Sequence, residues 1–206
     1  MTHHKSRRMQ PGVLLFAGSE LRCMQMKNID RRTFLEASVF PMAVLGVQRT
    51  TQSSGRGIRV EHGLDRLDAP RTIAGANVVT YKIATQDTHG GLFLLEQVSM
   101  RKGGPPRHLH HAQEEWFYVM EGEYIFEVGQ DRMRLKPGDS LLAPRQVPHV
   151  WAYVGENPGK ILIAFQPAGK METFFQEAAK LHDFAADAKL YRDCDMDLIG
   201  PPLSLA

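Results

Sequence analysis

The sequence predicts an all-β domain, a barrel or sandwich of short strands followed by a C-terminal α-helix. Three observations carry that expectation. From about Ile58 onward, short runs of β-branched, aromatic and aliphatic residues alternate with Gly, Pro and Asp breaks. Gly122-Glu123 and Gly129-Gln130-Asp131 fit the tight connections of hairpins. After Pro167 the apolar period changes from that of a strand to that of a helix.

Taken in order, the candidate strands are 78–84, 92–100, 115–121, 124–128, 132–135, 140–143, 149–154 and 160–166. Many short strands at even spacing indicate an all-β closed or two-sheet fold. No internal repeat is visible, so a single barrel is expected and not a tandem one. Phe174, Phe175, Ala178, Leu181, Ala185 and Ala188 then fall on one face at helical spacing, which predicts one amphipathic helix packed on the barrel. Ile199-Gly200-Pro201-Pro202-Leu203 reads as an extended tail. The chain therefore divides into 1–25, 26–54, a barrel over 55–168, and a helix and tail over 169–206.

Composition narrows the function classes. Residues 1–50 hold eight Lys or Arg against three Asp or Glu, whereas the remainder holds 17 against 20. The basic character thus sits at the N-terminus and the globular part is mildly acidic. That argues against a nucleic-acid-binding face on the folded domain. No apolar run reaches the roughly 20 residues of a membrane-spanning helix. Cys23 lies in the segment expected to be removed, which leaves Cys194 without a partner and the chain without a disulfide framework.

Residues 26–47 look like an address. The stretch Asp30-Arg31-Arg32-Thr33-Phe34-Leu35 precedes a moderately apolar run from Ala37 to Val47, too short for a span and about as long as a signal h-region. This resembles a twin-arginine export signal, with paired arginines followed by Phe-Leu. The resemblance implies the twin-arginine export machinery as a partner and a periplasmic or exported location. The cut is expected between Gly46 and Ser54, or the leader stays as an anchor. The rival reading is an amphipathic first helix of a cytoplasmic protein. On the export reading, Met26 or Met24 is a candidate start, and 1–25 an upstream mis-start.

The chemistry lies in Gly103-Gly104-Pro105-Pro106-Arg107-His108-Leu109-His110-His111-Ala112-Gln113-Glu114-Glu115 and, further on, in Gly138, Pro144 and His149. The sequence His-x-His, four residues, Glu115, six residues and Gly122 resembles the first cupin motif. Gly138, Pro144 and His149 resemble the second. Three departures stand out: Gln146 takes the place of a usual glycine, Tyr153 that of a usual Asn, and the first glycine lies closer than usual to His108. The resemblance covers roughly 78–165 and implies a cupin jelly-roll β-barrel with a C-terminal α-helix, similar to small quercetin-dioxygenase-like cupins. Small cupins of this kind are often dimers, so a homodimer is a further expectation.

The residues support a metal site on their own terms. In a strand, residues two apart point to the same face, so His108 and His110 aim two imidazoles inward while Leu109 and His111 point elsewhere. Glu115 begins the next strand, and a closed barrel can bring His149 opposite. Three nitrogens and a carboxylate suit one divalent Fe, Mn, Ni, Cu, Co or Zn ion. Glu115 either ligates or stands off as a general base, and Glu114 competes for its place if the turn is tighter. His111 is expected to bond a neighbouring group and His89 to lie at the surface. By the same period-2 argument Phe117, Val119, Trp151 and Tyr153 face inward. They are either the wall of a substrate pocket for a small aromatic or planar molecule, or plain core.

These features predict a metal-dependent dioxygenase or other oxidoreductase acting on a small organic substrate, with Glu115 as the catalytic carboxylate. The alternatives are a non-oxidative isomerase, lyase or decarboxylase, and a non-catalytic small-molecule or metal-binding module.

Overall fold

The computed structural model describes residues 55–205, apart from 75, 182–184 and 186. The arginine pair and apolar run of the expected export signal, the proposed start and cleavage points, and Cys23 lie outside the described residues. The described residues belong to one compact unit, Thr50–Ala206.

Eleven strands appear among them, in two antiparallel sheets. The six-stranded sheet is built from β1 (Arg71–Ile73), β2 (Asn77–Ile83), β3 (Phe93–Ser99), β10 (Gly159–Gln166), β5 (Glu114–Glu121) and β8 (Ser140–Ala143), in that spatial order. The five-stranded sheet runs β11 (Met196–Pro202), β4 (Pro106–His110), β9 (His149–Tyr153), β6 (Tyr124–Val128) and β7 (Asp131–Leu135). This is the jelly-roll arrangement that the sequence predicts, and the eight candidate strands all appear with ends shifted by no more than a residue or so.

Alternation explains why these segments become strands. In β5 the side chains of Glu115, Phe117 and Val119 are buried and their neighbours are not, and β10 alternates in the same way from Gly159 to Phe165. Each strand thus has one face that gains from leaving water and one that does not, which fixes its register. The two inner faces meet through aromatic rings. Phe117 of the six-stranded sheet packs edge-on to Phe126 of the other, with ring centroids 4.8 Å apart, and lies 6.3 Å from Trp151. Burying a ring of this kind contributes about 2 kcal/mol or more.

Asp65 ties the start of the described chain to the barrel. It is buried, and its carboxylate accepts hydrogen bonds from the backbone N–H groups of Tyr81 (2.6 Å), Leu67 (2.8 Å) and Ala69 (3.2 Å), and from Arg71 (3.3 Å).

The C-terminal region departs from the sequence reading. The expected helix is present as α1 (Met171–Ala178), burying Met171, Phe174, Phe175 and Ala178. The predicted face does not continue in the same helix: Leu181 is exposed, and Ala188 begins a second short helix, α2 (Ala188–Asp193). The predicted tail is not a free extension either. It forms β11, which pairs with β4, with Leu198 opposite His108 and Met196 opposite His110. Pro201 and Pro202 are tolerated because β11 is an edge strand, where a missing N–H breaks no ladder. Among the described residues no helix is long and apolar enough to cross a membrane.

Candidate metal centre

The strand carrying the His-x-His sequence is held flush against β9 by two glycines. Gly103 and Tyr153 exchange backbone hydrogen bonds of 3.0 and 2.9 Å. At Gly104 a Cβ would lie 1.9 Å from the Trp151 carbonyl oxygen, so no other residue fits there without moving β9. This close approach sets the register in which His108 stands directly opposite His149. Period 2 then places His110 beside them, and β5 contributes Glu115 from the other sheet.

All four side chains are nearly fully buried, and one ligand atom from each lies within 4.8 Å of the others. Glu115 Oε2 is the meeting point: it lies 2.8 Å from His149 Nε2, 3.1 Å from His110 Nε2 and 3.8 Å from His108 Nε2. The far sides of two rings are already committed. His108 Nδ1 lies 2.8 Å from the Pro106 carbonyl and His149 Nδ1 lies 3.1 Å from that of Val147. A carbonyl only accepts, so each Nδ1 carries the proton and each Nε2 of a neutral ring presents a lone pair to the centre. Carbonyl partners on the outer ring nitrogen are how ligating histidines are commonly oriented. Lone pairs converging with a carboxylate on one point call for a cation, and three imidazoles with one carboxylate suit a divalent transition ion.

Electrostatics point the same way. Burial, and then the neighbouring His149 and His110, hold His108 down to about 3, so its ring is neutral at physiological pH. For Glu115 burial works in the opposite direction, but its close contacts with His110 and His149 outweigh it and keep the carboxyl below its usual range, hence charged. Neutral imidazole and ionised carboxylate are the ligating forms.

Glu114 does not compete for the centre. Its carboxylate accepts from the Arg145 backbone N–H at 2.7 Å and from the Arg145 guanidinium at 2.6 Å. Those two contacts hold it below the usual carboxylate range. They dock the loop between β8 and β9 onto β5. In the same loop the Gln146 N–H donates to the His110 carbonyl at 2.7 Å, with Gln146 in the left-handed region at φ 63°. The backbone there adopts the conformation that suits the glycine usual in the motif, and Gln146 adopts it nonetheless. His111 meets Asp197 of β11 at 3.3 Å, away from the centre, and His89 is exposed.

A cavity of about 90 Å³ opens beside His108 and Glu115. Of the four residues predicted to line a pocket, Trp151 does so, while Phe117, Val119 and Tyr153 are buried core not among its lining residues. All four face inward as expected, but the interior is filled by aromatic packing away from the histidines. Tyr153 fits against Gly122, Gly155 and Gly159, where a Cβ on Gly159 would fall 2.4 Å from its ring. The cavity wall comes instead from β10 (Ile163, Phe165), from α1 (Met171, Phe174, Phe175), and from Tyr191 and Met196 near the C-terminus. Asn77 and Gln97 supply amides from the six-stranded sheet. The sequence marks Phe174 and Phe175 only as the buried face of a helix, and it marks none of these residues as cavity wall. The adjacent pair Leu190-Tyr191 in an otherwise polar stretch was the available signal for a buried tyrosine.

Comparison with known proteins agrees with this picture. Residues 96–165 match a family model described as Cupin domain. Sixty residues are 32% identical to an uncharacterized protein of Methanocaldococcus jannaschii, covering 29% of this chain. The match spans 48% of that relative, about half its length. Among solved structures, KdgF from Halomonas sp. has 21% identity and a TM-score of 0.43 over 48% of this chain and 87% of that one. An RmlC-like cupin from Shewanella frigidimarina has 22% identity and a TM-score of 0.42 over 50% and 87%. Over residues 96–165 the chain is thus similar to cupin domains, and His108, His110, Glu115 and His149 all fall inside that stretch.

Proposed function

We propose that the chain holds one divalent transition metal through His108, His110, Glu115 and His149 and acts as a dioxygenase or related oxidoreductase on a compact organic molecule. The observation that carries this reading is the convergence of three Nε2 atoms on Glu115 Oε2 at the wall of an apolar cavity. A bound ion of this kind supplies Lewis-acid or electron-transfer chemistry at open coordination positions. The chain supplies the rest. The three histidines and Glu115 fix the ion, and Trp151, Phe165 and Phe175 keep bulk water from the reacting atoms. Glu115 also stands close enough to the cavity to receive a proton from a ligand seated there. At about 90 Å³ the cavity is smaller than the roughly 300–1,000 Å³ usual for drug-sized ligands, which favours a small substrate.

Oxygen uptake tests the reading. Protein loaded in turn with Fe(II), Mn(II), Ni(II), Cu(II), Co(II) and Zn(II) is given catechols and other small phenols. Metal-dependent oxygen consumption is expected. Turnover that persists under strict anaerobiosis would move the assignment to a lyase or isomerase, and tight binding without chemistry would leave a binding module. We further propose, from Arg31-Arg32-Thr33-Phe34-Leu35 and the apolar run after it, that the protein is exported by the twin-arginine route. Loss of export on Arg31→Lys/Arg32→Lys substitution is the expected result.

A further inference from the structure

We propose that Tyr191 is the ligand-binding donor of this cavity: its hydroxyl donates a hydrogen bond to an oxygen atom of an uncharged, compact ligand seated beside His108 and Glu115. The proposal rests on the metal-centre reading above.

Tyr191 is 1% exposed, and its hydroxyl has no hydrogen-bond partner among the described residues. An unpartnered buried hydroxyl is destabilising, so a tyrosine where a phenylalanine would pack equally well calls for a use. The ring lines the cavity and lies 5.7 Å from the His108 ring, centroid to centroid, which places it at the metal centre and not in remote core. A phenol is ordinarily protonated at neutral pH, so its hydroxyl can serve as a donor or a neutral acceptor.

The side chain is also firmly held. Phe174 packs edge-on to it at 5.2 Å. Asp187 caps α2 by accepting from the Lys189 and Leu190 N–H groups, each at 3.0 Å, and Lys170 donates to the Asp193 carbonyl at 2.9 Å. A donor held this way need not be ordered when a ligand arrives, which favours binding.

The rest of the wall defines the ligand's charge. Among the described residues that line the cavity, Glu115 is the one acidic group, and there is no Lys or Arg. The other polar side chains besides His108 are the neutral amides of Asn77 and Gln97 and the indole of Trp151. A carboxylate in such a place would have as its cationic partner only an ion whose charge Glu115 already halves, with no guanidinium or ammonium in the described lining to replace its lost hydration. An uncharged molecule with an oxygen acceptor meets no such penalty.

The test uses the full chain loaded with Zn(II), phenol as an uncharged probe and benzoate as an anionic one, followed by calorimetry, with zinc content and thermal midpoint recorded. Phenol is expected to bind more tightly than benzoate. Tyr191→Phe keeps the ring contacts and removes the unpartnered hydroxyl, so it should keep its zinc and show a thermal midpoint without probe equal to or above that of wild type, yet bind phenol about three- to tenfold more weakly. Unchanged phenol affinity in Tyr191→Phe, tighter binding of benzoate, no binding of phenol, or a lowered midpoint would each overturn the proposal. A wild-type chain that retains no Zn(II) would overturn the metal-centre reading, and this proposal with it.

Discussion

Both ring nitrogens of His149 face oxygen: Nε2 lies 2.8 Å from the Glu115 carboxylate and Nδ1 lies 3.1 Å from the Val147 carbonyl. A neutral imidazole has one proton for two such partners, and the carbonyl can only be satisfied by N–H. The carboxylate side is therefore where a cation belongs. Glu115→Gln removes the charge from that point, whereas Glu114→Gln weakens only the clasp on Arg145. Metal affinity is expected to fall at least tenfold in the first variant and to stay within about twofold in the second, by competition with a chromogenic chelator. Equal losses in both would contradict the assignment of Glu115.

Acid should destabilise the metal-free protein through the same cluster. The folded-state value of His108 lies far below its unfolded value, so between about 6.5 and 3 the unfolded chain binds the proton and the folded chain does not. Its contribution to stability is present above that window and is lost as pH falls through it. Glu115, also held low, adds a loss of the same sign below the usual carboxylate range. Urea midpoints at pH 7, 5.5 and 4.5 are expected to fall with pH, and more steeply for wild type than for His108→Asn. Parallel slopes would contradict the burial argument.

Gln146 offers a stabilising change. Its φ of 63° costs a side-chain-bearing residue about 1–2 kcal/mol, partly offset by the greater freedom glycine has when unfolded. Gln146→Gly is expected to gain about 0.5–1 kcal/mol in chemical denaturation. Metal stoichiometry should not change, because the contact to the His110 carbonyl is made by the backbone. A loss of stability would show that the Gln146 side chain has a role that outweighs the strain.

Tyr153 should behave as packing and not as pocket. Gly122, Gly155 and Gly159 surround its ring and cannot fill the space it leaves. Tyr153→Asn, which restores the residue usual at this place in the motif, is expected to cost about 3–5 kcal/mol while leaving metal affinity nearly intact. A stable variant with altered ligand binding would instead place Tyr153 at the cavity.

Much of this architecture was legible in the sequence, for physical reasons that differ between residues. The alternation that buries Phe117 and Val119 is local, and so is the two-residue spacing that turns His108 and His110 the same way. Opposition of His108 and His149 requires only that two strands pair. The harder features are set by tertiary contact. Pro106–His110 follows Gly103-Gly104-Pro105, a run that reads as loop, and becomes a strand because β9 and β11 flank it. Met196–Pro202 carries two prolines and is a strand only by virtue of its edge position. The cavity wall was missed because period 2 reports which face a residue takes, not how far along the barrel it lies. Thus Trp151 reaches the cavity while Tyr153, on the same face, fills the core.

The most direct test of the account is elemental analysis of the full chain beside a His110→Ala/His149→Ala double variant, each offered Fe(II), Mn(II), Ni(II), Cu(II), Co(II) and Zn(II) and then dialysed. The account predicts close to one metal ion per wild-type chain and almost none in the double variant. No retained metal in either protein, or equal metal in both, would contradict it.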